Sequence, residues 1–129
     1  MENINQTAPF SEPKSRKATA AGANTDTQVF TPPYVLDSGR AKAVIRQITI
    51  SNGGTATATV IVWDEDLDGS QPNAKRGTNA APIIPKIYVP AKDQIVLTPQ
   101  NDSVFIQYGF AFRSDDAATD VMVEYDLQM

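Results

Sequence analysis

The chain has 129 residues, of which 41% are hydrophobic, and that is enough for one domain core and too little for two. Its net charge of -4 opposes nonspecific attraction to nucleic acid or to an anionic membrane, because both require an excess of Lys and Arg. The absence of Cys and His excludes disulfides and thiolate sites, and it removes the commonest general base and metal ligand. We therefore expect no nucleic acid, no membrane and no cofactor as partner.

The first 27 residues are polar, with isolated apolar side chains such as Ile4 and Phe10 and no period of 3.6 or 2. Ordering about thirty residues costs on the order of 30 to 60 kcal/mol of backbone entropy. Offsetting that cost requires on the order of a thousand Å² or more of apolar burial, which this stretch cannot supply against its own domain. The sequence therefore predicts an arm over residues 1–27, disordered in isolation or laid across another subunit, and a β-sandwich domain over residues 28–129.

Two further features of this stretch bear on its role: a basic cluster and the composition of its first ten residues. The cluster of Lys14, Arg16 and Lys17 is typical of a solvated tail, with a phosphate-tracking segment as the alternative. Residues 1–10 lack the basic start and apolar core of a secretory signal, and no apolar run is long enough to span a membrane. These features predict neither export nor membrane anchoring.

The body begins with an extended segment, because Pro32 and Pro33 exclude a helix there. The pattern then predicts a strand from Val44 to Ile50 and a return strand from Thr55 to Trp63. Between them, Asn52-Gly53-Gly54 is typical of a hairpin turn, because these residues tolerate positive φ.

A long irregular segment follows from Asp64 to Pro85. Four further strands are predicted after it, at Ile87–Val89, Gln94–Thr98, Phe105–Arg113 and Val121–Leu127. Short strands at roughly ten-residue spacing, with no helical periodicity, predict an all-β fold: an antiparallel β-sandwich or jelly roll.

Side-chain alternation along the strands predicts the core. The side chains expected to face inward are Ile48, Ile50, Val60, Val62, Ile87, Val89, Ile95, Leu97, Phe110, Phe112, Val121, Val123 and Tyr125. Ile61, Trp63 and Tyr88 fall on the other face. Three interpretations of these side chains stay open: cover by the Asp64 to Pro85 loop, a subunit interface, or a sugar-stacking platform.

The acidic turn after Trp63 is a candidate calcium site. Asp64, Asp66 and Asp68 precede Gly69 at the alternate positions of the first half of a calcium loop. The position of the bidentate Glu of an EF-hand is taken by Lys75, and no helix is predicted on either side. The competing interpretation is a solvated acidic turn.

The pattern predicts no enzyme. Acid pairs could be drawn from Asp64, Asp66, Asp115, Asp116 and Asp120, but all lie in predicted turns, where acids serve capping and solubility. A Ser15 and Lys17 pair would lie in the arm, which cannot hold catalytic geometry. The sequence also lacks a phosphate-binding Gly-rich loop and a GxSxG motif.

Four segments of the body together resemble the small β-sandwich virion proteins of tailed bacteriophages. The segments are Ile48–Asn52, Ala58–Asp64, Ile87–Ala91 and Val121–Asp126. They match a first hairpin that ends in an aromatic residue and Asp, a Pro-Ala turn, and a terminal strand in which alternating Val residues precede Tyr and Asp. Gly109 matches the glycine with which these proteins begin the strand that precedes the terminal strand. Lys92 replaces the small residue usual after Pro90-Ala91, and the Asp64 to Pro85 segment is longer than in the simplest members.

The resemblance implies a head decoration or cement protein on the capsid surface, made in the host cytoplasm, or alternatively a fibre or neck component. Its implied partner is the major capsid protein or another virion protein, and members of the group are often trimeric with terminal arms. The expected contact residues are Ile4, Phe10, Val29, Phe30, Trp63 and Tyr88. A carbohydrate-binding or adhesion module is the competing class, because an exposed Trp63 and Tyr88 would serve it equally well.

Overall fold

The computed structural model describes residues 11–35, 39–65, 67–68, 75–76, 81–101 and 103–128. These residues form β-strands and no helix. The strands are β1 (Ser11–Thr19), β2 (Thr27–Phe30), β3 (Tyr34–Val35), β4 (Gly39–Arg40), β5 (Lys42–Asn52), β6 (Ala58–Asp64), β7 (Leu67–Asp68), β8 (Lys75–Arg76), β9 (Ala81–Val89), β10 (Asp93–Leu97), β11 (Phe105–Ile106), β12 (Phe110–Ser114) and β13 (Thr119–Gln128).

Nine of these strands build two antiparallel sheets that face each other across one core. Sheet A has the order β1-β13-β5-β10, with β11 also on β5, and sheet B has the order β2-β12-β6-β9. The principal strands thus pair first with last, second with second-last, and so on inward, which is the pairing of a long hairpin rolled up on itself. That is the topology of a jelly roll, and the predicted fold class is confirmed.

The core lies between the sheets and contains most of the side chains that alternation predicts. Ten of the predicted residues are buried: Ile48, Ile50, Val60, Val62, Val89, Phe110, Phe112, Val121, Val123 and Tyr125. Ile87, Ile95 and Leu97 are half-buried and pack against that core from β9 and β10, which are edge strands. Burial is therefore incomplete where a strand has a neighbour on one side only.

Ile45 is a core residue that alternation misses. It is 1% exposed, although it has the opposite parity to Ile48 and Ile50 on the same strand. The register between β13 and β5 shifts between Glu124 and Tyr125, so β5 has an extra residue there. A bulge of this kind reverses the alternation of side chains from one side of the bulge to the other, which turns Ile45 inward.

The predicted hairpin at Asn52-Gly53-Gly54 is wrong. β5 lies in sheet A and β6 in sheet B, so the two strands do not pair and the connection crosses from one sheet to the other. Both strands carry an apolar face, and in a sandwich those faces meet across the core. Local turn chemistry alone does not distinguish this arch from a hairpin, because both require a tight reversal.

Side-chain hydrogen bonds hold the arch. The buried Asn52 amide donates to the carbonyls of Ala56 and Val89, at 2.8 and 2.9 Å, and its oxygen accepts from the Gly54 N–H at 2.8 Å. A Cβ on Gly54 would collide with the Asp116 carboxylate. The glycine at this position therefore serves a close approach, rather than the positive φ that the sequence suggested.

The N-terminal stretch also differs from expectation. Ser11–Thr19 pairs along its whole length with β13, and Thr27 already begins β2. The expectation of a detached arm therefore does not hold for residues 11–19, since backbone pairing holds a strand that has almost no apolar side chains. Residues 1–10 lie outside the described residues.

Candidate interaction surface

β1 is a terminal strand of sheet A. Its successive residues direct their backbone N–H and C=O groups alternately toward β13 and away from it. The Ala20 N–H donates to the Thr119 carbonyl at 2.8 Å, directly after the pair Thr19 and Asp120. In an antiparallel ladder, alternate residues direct both backbone groups at the partner strand. Even-numbered residues such as Arg16 therefore bond β13, and odd-numbered residues direct their backbone groups away from the sheet.

The odd-numbered positions define an open edge. Pro13 lies at one of them, where its missing N–H removes no bond to β13. Ser15, Lys17 and Thr19 follow at the same parity. Within the described ranges, β1 has β13 as its strand partner and no strand on its other side. An extended chain that arrived there would find unpaired backbone donors and acceptors.

A groove of about 510 Å³ lies next to this edge, between β1 and the end of β2. Its lining consists of Lys14, Arg16, Val29, Phe30, Thr31, Pro33, Tyr125 and Leu127. Lys14 and Arg16 pair with Tyr125 and Val123, so their side chains extend on the core-facing side of sheet A, past the edge of sheet B. The lining thus combines two cationic side chains and Thr31 with apolar side chains.

Two of the sequence-predicted contact residues meet in this groove. Val29 is half-buried and packs against the core. Phe30 is 7% exposed and stacks on Tyr125 with ring centroids 4.0 Å apart and on Phe110 at 5.8 Å. Phe30 is therefore a core residue that forms the floor of the groove, and its contact with a partner stays a prediction. Ile4 and Phe10, the other two contact residues expected from the arm, lie outside the described residues.

The outer face of sheet B carries the remaining predicted contacts. Tyr88 is 58% exposed on the edge strand β9. Trp63 is half-buried with its indole nitrogen enclosed, and its neighbour across the sheet, Ala111, is fully buried. Ile61 is half-buried beside Arg113. The aromatic pair proposed from the sequence is thus one exposed ring and one largely covered ring.

The Asp64 carboxylate organises the turn between β11 and β12. It accepts the backbone N–H groups of Gln107, Tyr108 and Gly109 at 3.1, 2.9 and 3.2 Å. These bonds explain why the predicted strand from Phe105 to Arg113 is divided into two strands. A carboxylate that accepts several backbone amides is a stabilising structural element in its own right.

The candidate calcium ligands are not brought together among the described side chains. Asp66 lies outside the described residues, and only the backbone of Asp68 is described, in β7. The described part of the chain contains no group of three or more acidic side chains that could hold a metal ion. Calcium binding by the three aspartates stays a prediction.

The acids after β12 also serve turns. Asp115 accepts the Thr59 N–H at 2.8 Å, and Asp116 accepts the Ala118 N–H at 2.8 Å. Asp120 accepts the Thr19 hydroxyl at 2.6 Å, which joins β1 to β13. Each of these carboxylates thus accepts a structural hydrogen bond.

Sequence reasoning missed the edge itself. The basic cluster was interpreted as a solvated tail or a phosphate-tracking segment, whereas Lys14, Arg16 and Lys17 lie in a strand. Pro13 was the available signal, since proline in a sheet is confined to edges, bulges and strand starts. Within the described residues, no helix is long and apolar enough to cross a membrane.

Comparison with known proteins gives a fold likeness at most. No protein-family model and no curated protein matches the chain. Among solved structures, it is similar to a Clostridium thermocellum endo-1,4-β-D-xylanase, comprising CBM22-1 and GH10 modules complexed with xylohexaose. The TM-score is 0.42 and the identity 13%, over 92% of this chain and 25% of that one. This chain thus spans about a quarter of the xylanase.

A second similar structure is the virus-like particle of the extra small virus of the giant freshwater prawn Macrobrachium rosenbergii. The TM-score is 0.35 and the identity 11%, over 97% of this chain and 82% of that one. Likenesses at these levels assign no function.

Proposed function

We propose that this β-sandwich domain is a structural virion protein, a decoration or cement protein that binds the head of a tailed phage and stabilises contacts between shell subunits. The observation that supports this proposal is the open edge of β1 beside the groove, which offers a second chain both backbone groups and a partly apolar surface. The resemblance of the strand pattern to virion proteins supplies the partner class.

The proposed mechanism is mechanical and requires no catalytic step. Each copy buries a modest area across a seam between shell subunits, and many copies on a closed shell add their contacts. The jelly roll is a fold of viral capsid and lectin domains, so it is compatible with this role. The proposed complex is a trimer on the capsid surface, with the major capsid protein as its partner.

Particle association is the direct test. Phage particles induced from the source strain should be purified on a density gradient and probed with an antibody against this chain. We expect the protein to travel with full heads in many copies per particle, and a gene for a major capsid or portal protein to lie nearby. Absence from the particles, or presence on the tail alone, would refute a decoration role.

Oligomeric state is a second test. Light scattering at several protein concentrations should give the mass of a trimer. A mass equal to one 14.0 kDa chain at every concentration would contradict the trimer.

A carbohydrate-binding module is the second candidate, and the exposed ring of Tyr88 favours it. Binding on a glycan array that is lost in Tyr88→Ala and kept in Ser15→Pro would support this candidate over the first. Because Trp63 is largely covered, stacking on this face would depend mainly on Tyr88. A protein that binds no glycan on the array would leave the decoration role as the better account.

A further inference from the structure

The charge of β1 is opposite in sign to that of the whole protein. The strand contains three cations and one carboxylate, a net charge of +2, in a chain whose total is -4. Arg16 and Lys17 are exposed, and Lys14 is half-buried at the groove. The strand itself is thus positive in an acidic protein, with Lys14 and Arg16 on the groove side and Lys17 on the outer face, where the adjacent β13 carries Asp120, Glu124 and Asp126.

The same charges disfavour a second copy of this chain as the occupant of the edge. If the β1 strands of two copies paired in the antiparallel register centred on Ser15, Lys14 of each copy would lie opposite Arg16 of the other, and like charges across strands are destabilising. Lysines on edge strands are a common device against such self-pairing. An acidic strand would meet the opposite situation, because the edge offers it both backbone bonds and charge complementarity.

The groove adds selectivity for alternate side chains. In a strand added beside β1, every second side chain would lie on the groove side, next to Lys14 and Arg16 and above Val29 and Pro33. The other side chains would lie on the outer face, next to Lys17. In this mode of recognition, backbone bonds provide affinity and the alternate side chains provide specificity.

We propose that the edge of β1 and the adjoining groove bind an extended acidic segment of a partner protein by strand addition. The backbone of that segment pairs with Ser15, Lys17 and Thr19, its acidic side chains lie beside Arg16 and Lys17, and an apolar side chain enters the groove. The inference rests on the proposed attachment role, under which the partner is a shell subunit, and it names the site and the chemistry of the contact.

Two synthetic peptides of equal length test this inference with the full chain. The first, the Glu-Val peptide, carries Glu on both faces of the extended chain around two Val residues that share one face, and the second, the Lys-Val peptide, has Lys in place of every Glu. We expect fluorescence polarisation to show binding of the Glu-Val peptide, weakened by added salt, and at least about tenfold weaker binding of the Lys-Val peptide. Equal binding of the two peptides, or no binding of either at millimolar concentration, would overturn the proposal.

Variants locate the binding. Ser15→Pro removes an N–H that points away from β13, so it should lower the affinity for the Glu-Val peptide about tenfold or more. Its melting temperature should stay close to that of the parent. Lys17→Glu should lower the affinity for the same peptide by a similar factor. Lys86→Glu makes the same charge change on exposed β9 and should change affinity less than twofold. Equal effects of Lys17→Glu and Lys86→Glu would show that binding does not depend on the β1 edge.

The same variants separate the two proposals. If particles fail to carry the protein but the Glu-Val peptide binds at β1, the decoration role fails and the edge site stands for another acidic partner. If Ser15→Pro and Lys17→Glu decorate particles as well as the parent does, the edge site fails and the decoration role stands. A homo-oligomer that Ser15→Pro dissociates would show that a second copy occupies the edge, which also overturns the inference.

Discussion

The two open sides of the sandwich are built differently. One side is formed by β1 and β2, and the other by β9 and β10. β9 contains Pro82 and Pro85, and its register on β6 shifts twice, so it is a kinked edge with missing donors. β1 is a straight nine-residue strand without a register shift on β13, and Pro13 is its one residue without an N–H.

This difference distinguishes the β1 edge from the β9 edge, whereas β10, the other terminal strand of sheet A, is a five-residue strand without proline. Prolines and bulges are devices that prevent further pairing, and the β9 side uses both. The β1 side relies on charge, which rejects a like-charged strand but admits an oppositely charged one. The exposed apolar side chain of β9, Tyr88, lies on the face of its sheet rather than on its edge.

The largest expected effect distinguishes the groove floor from the surface of the other side. Phe30→Ala removes a ring that is stacked on Tyr125 and Phe110, so it should lower the free energy of unfolding by about 3–5 kcal/mol. Tyr88→Ala is the matched aromatic change on the β9 side. It should change the free energy of unfolding by no more than about 0.5 kcal/mol. Urea denaturation measures both, and equal losses would contradict the contrast.

Proline substitution tests the direction of the β1 backbone. Arg16→Pro removes an N–H that bonds β13 and should cost about 1–3 kcal/mol. Ser15→Pro, one residue earlier, removes an N–H that points outward and should cost less than about 1 kcal/mol. Thermal melts of the two variants compare them directly. A larger loss for Ser15→Pro would mean that the alternation has been assigned the wrong way round.

The smallest effect concerns the connection between β9 and β10. Lys92 has a φ of 59°, a conformation in which a side chain is strained, and its ammonium donates to the Gly53 carbonyl at 2.7 Å. Lys92→Gly should raise the free energy of unfolding by up to about 1 kcal/mol, because it relieves the strain. Lys92→Ala keeps the strain and loses the contact, so it should be slightly destabilising. A loss of stability in Lys92→Gly equal to that in Lys92→Ala would show that the strain is negligible.

The sequence predicted the fold class and most of the core, because strand alternation and burial follow directly from apolar spacing. It missed features that depend on distant partners. Ile45 was missed because a bulge opposite β13 reverses the parity of β5. The arch at Asn52 was predicted as a hairpin. Whether β5 and β6 pair with each other or lie in different sheets depends on the partners of both strands in the whole fold, and the turn residues do not determine it.

The error at β1 has the same origin and matters most for the candidate site. A polar strand has no apolar period, so entropy and burial alone assigned it to an arm. Its order comes from nine residues of pairing with β13, which is more than 100 residues away in the chain. The basic cluster could be seen in the sequence, but its position on a sheet edge beside a groove could not.

Hydrogen exchange of the β1 amides tests the central claim, that this strand belongs to the sheet and keeps one edge open. In the free protein, the amides of Lys14, Arg16 and Ala18 should exchange slowly, and those of Ser15, Lys17 and Thr19 should exchange rapidly. Rapid exchange of all six amides would mean a detached arm, and slow exchange of all six would mean an edge that is already occupied. Either result would contradict the account.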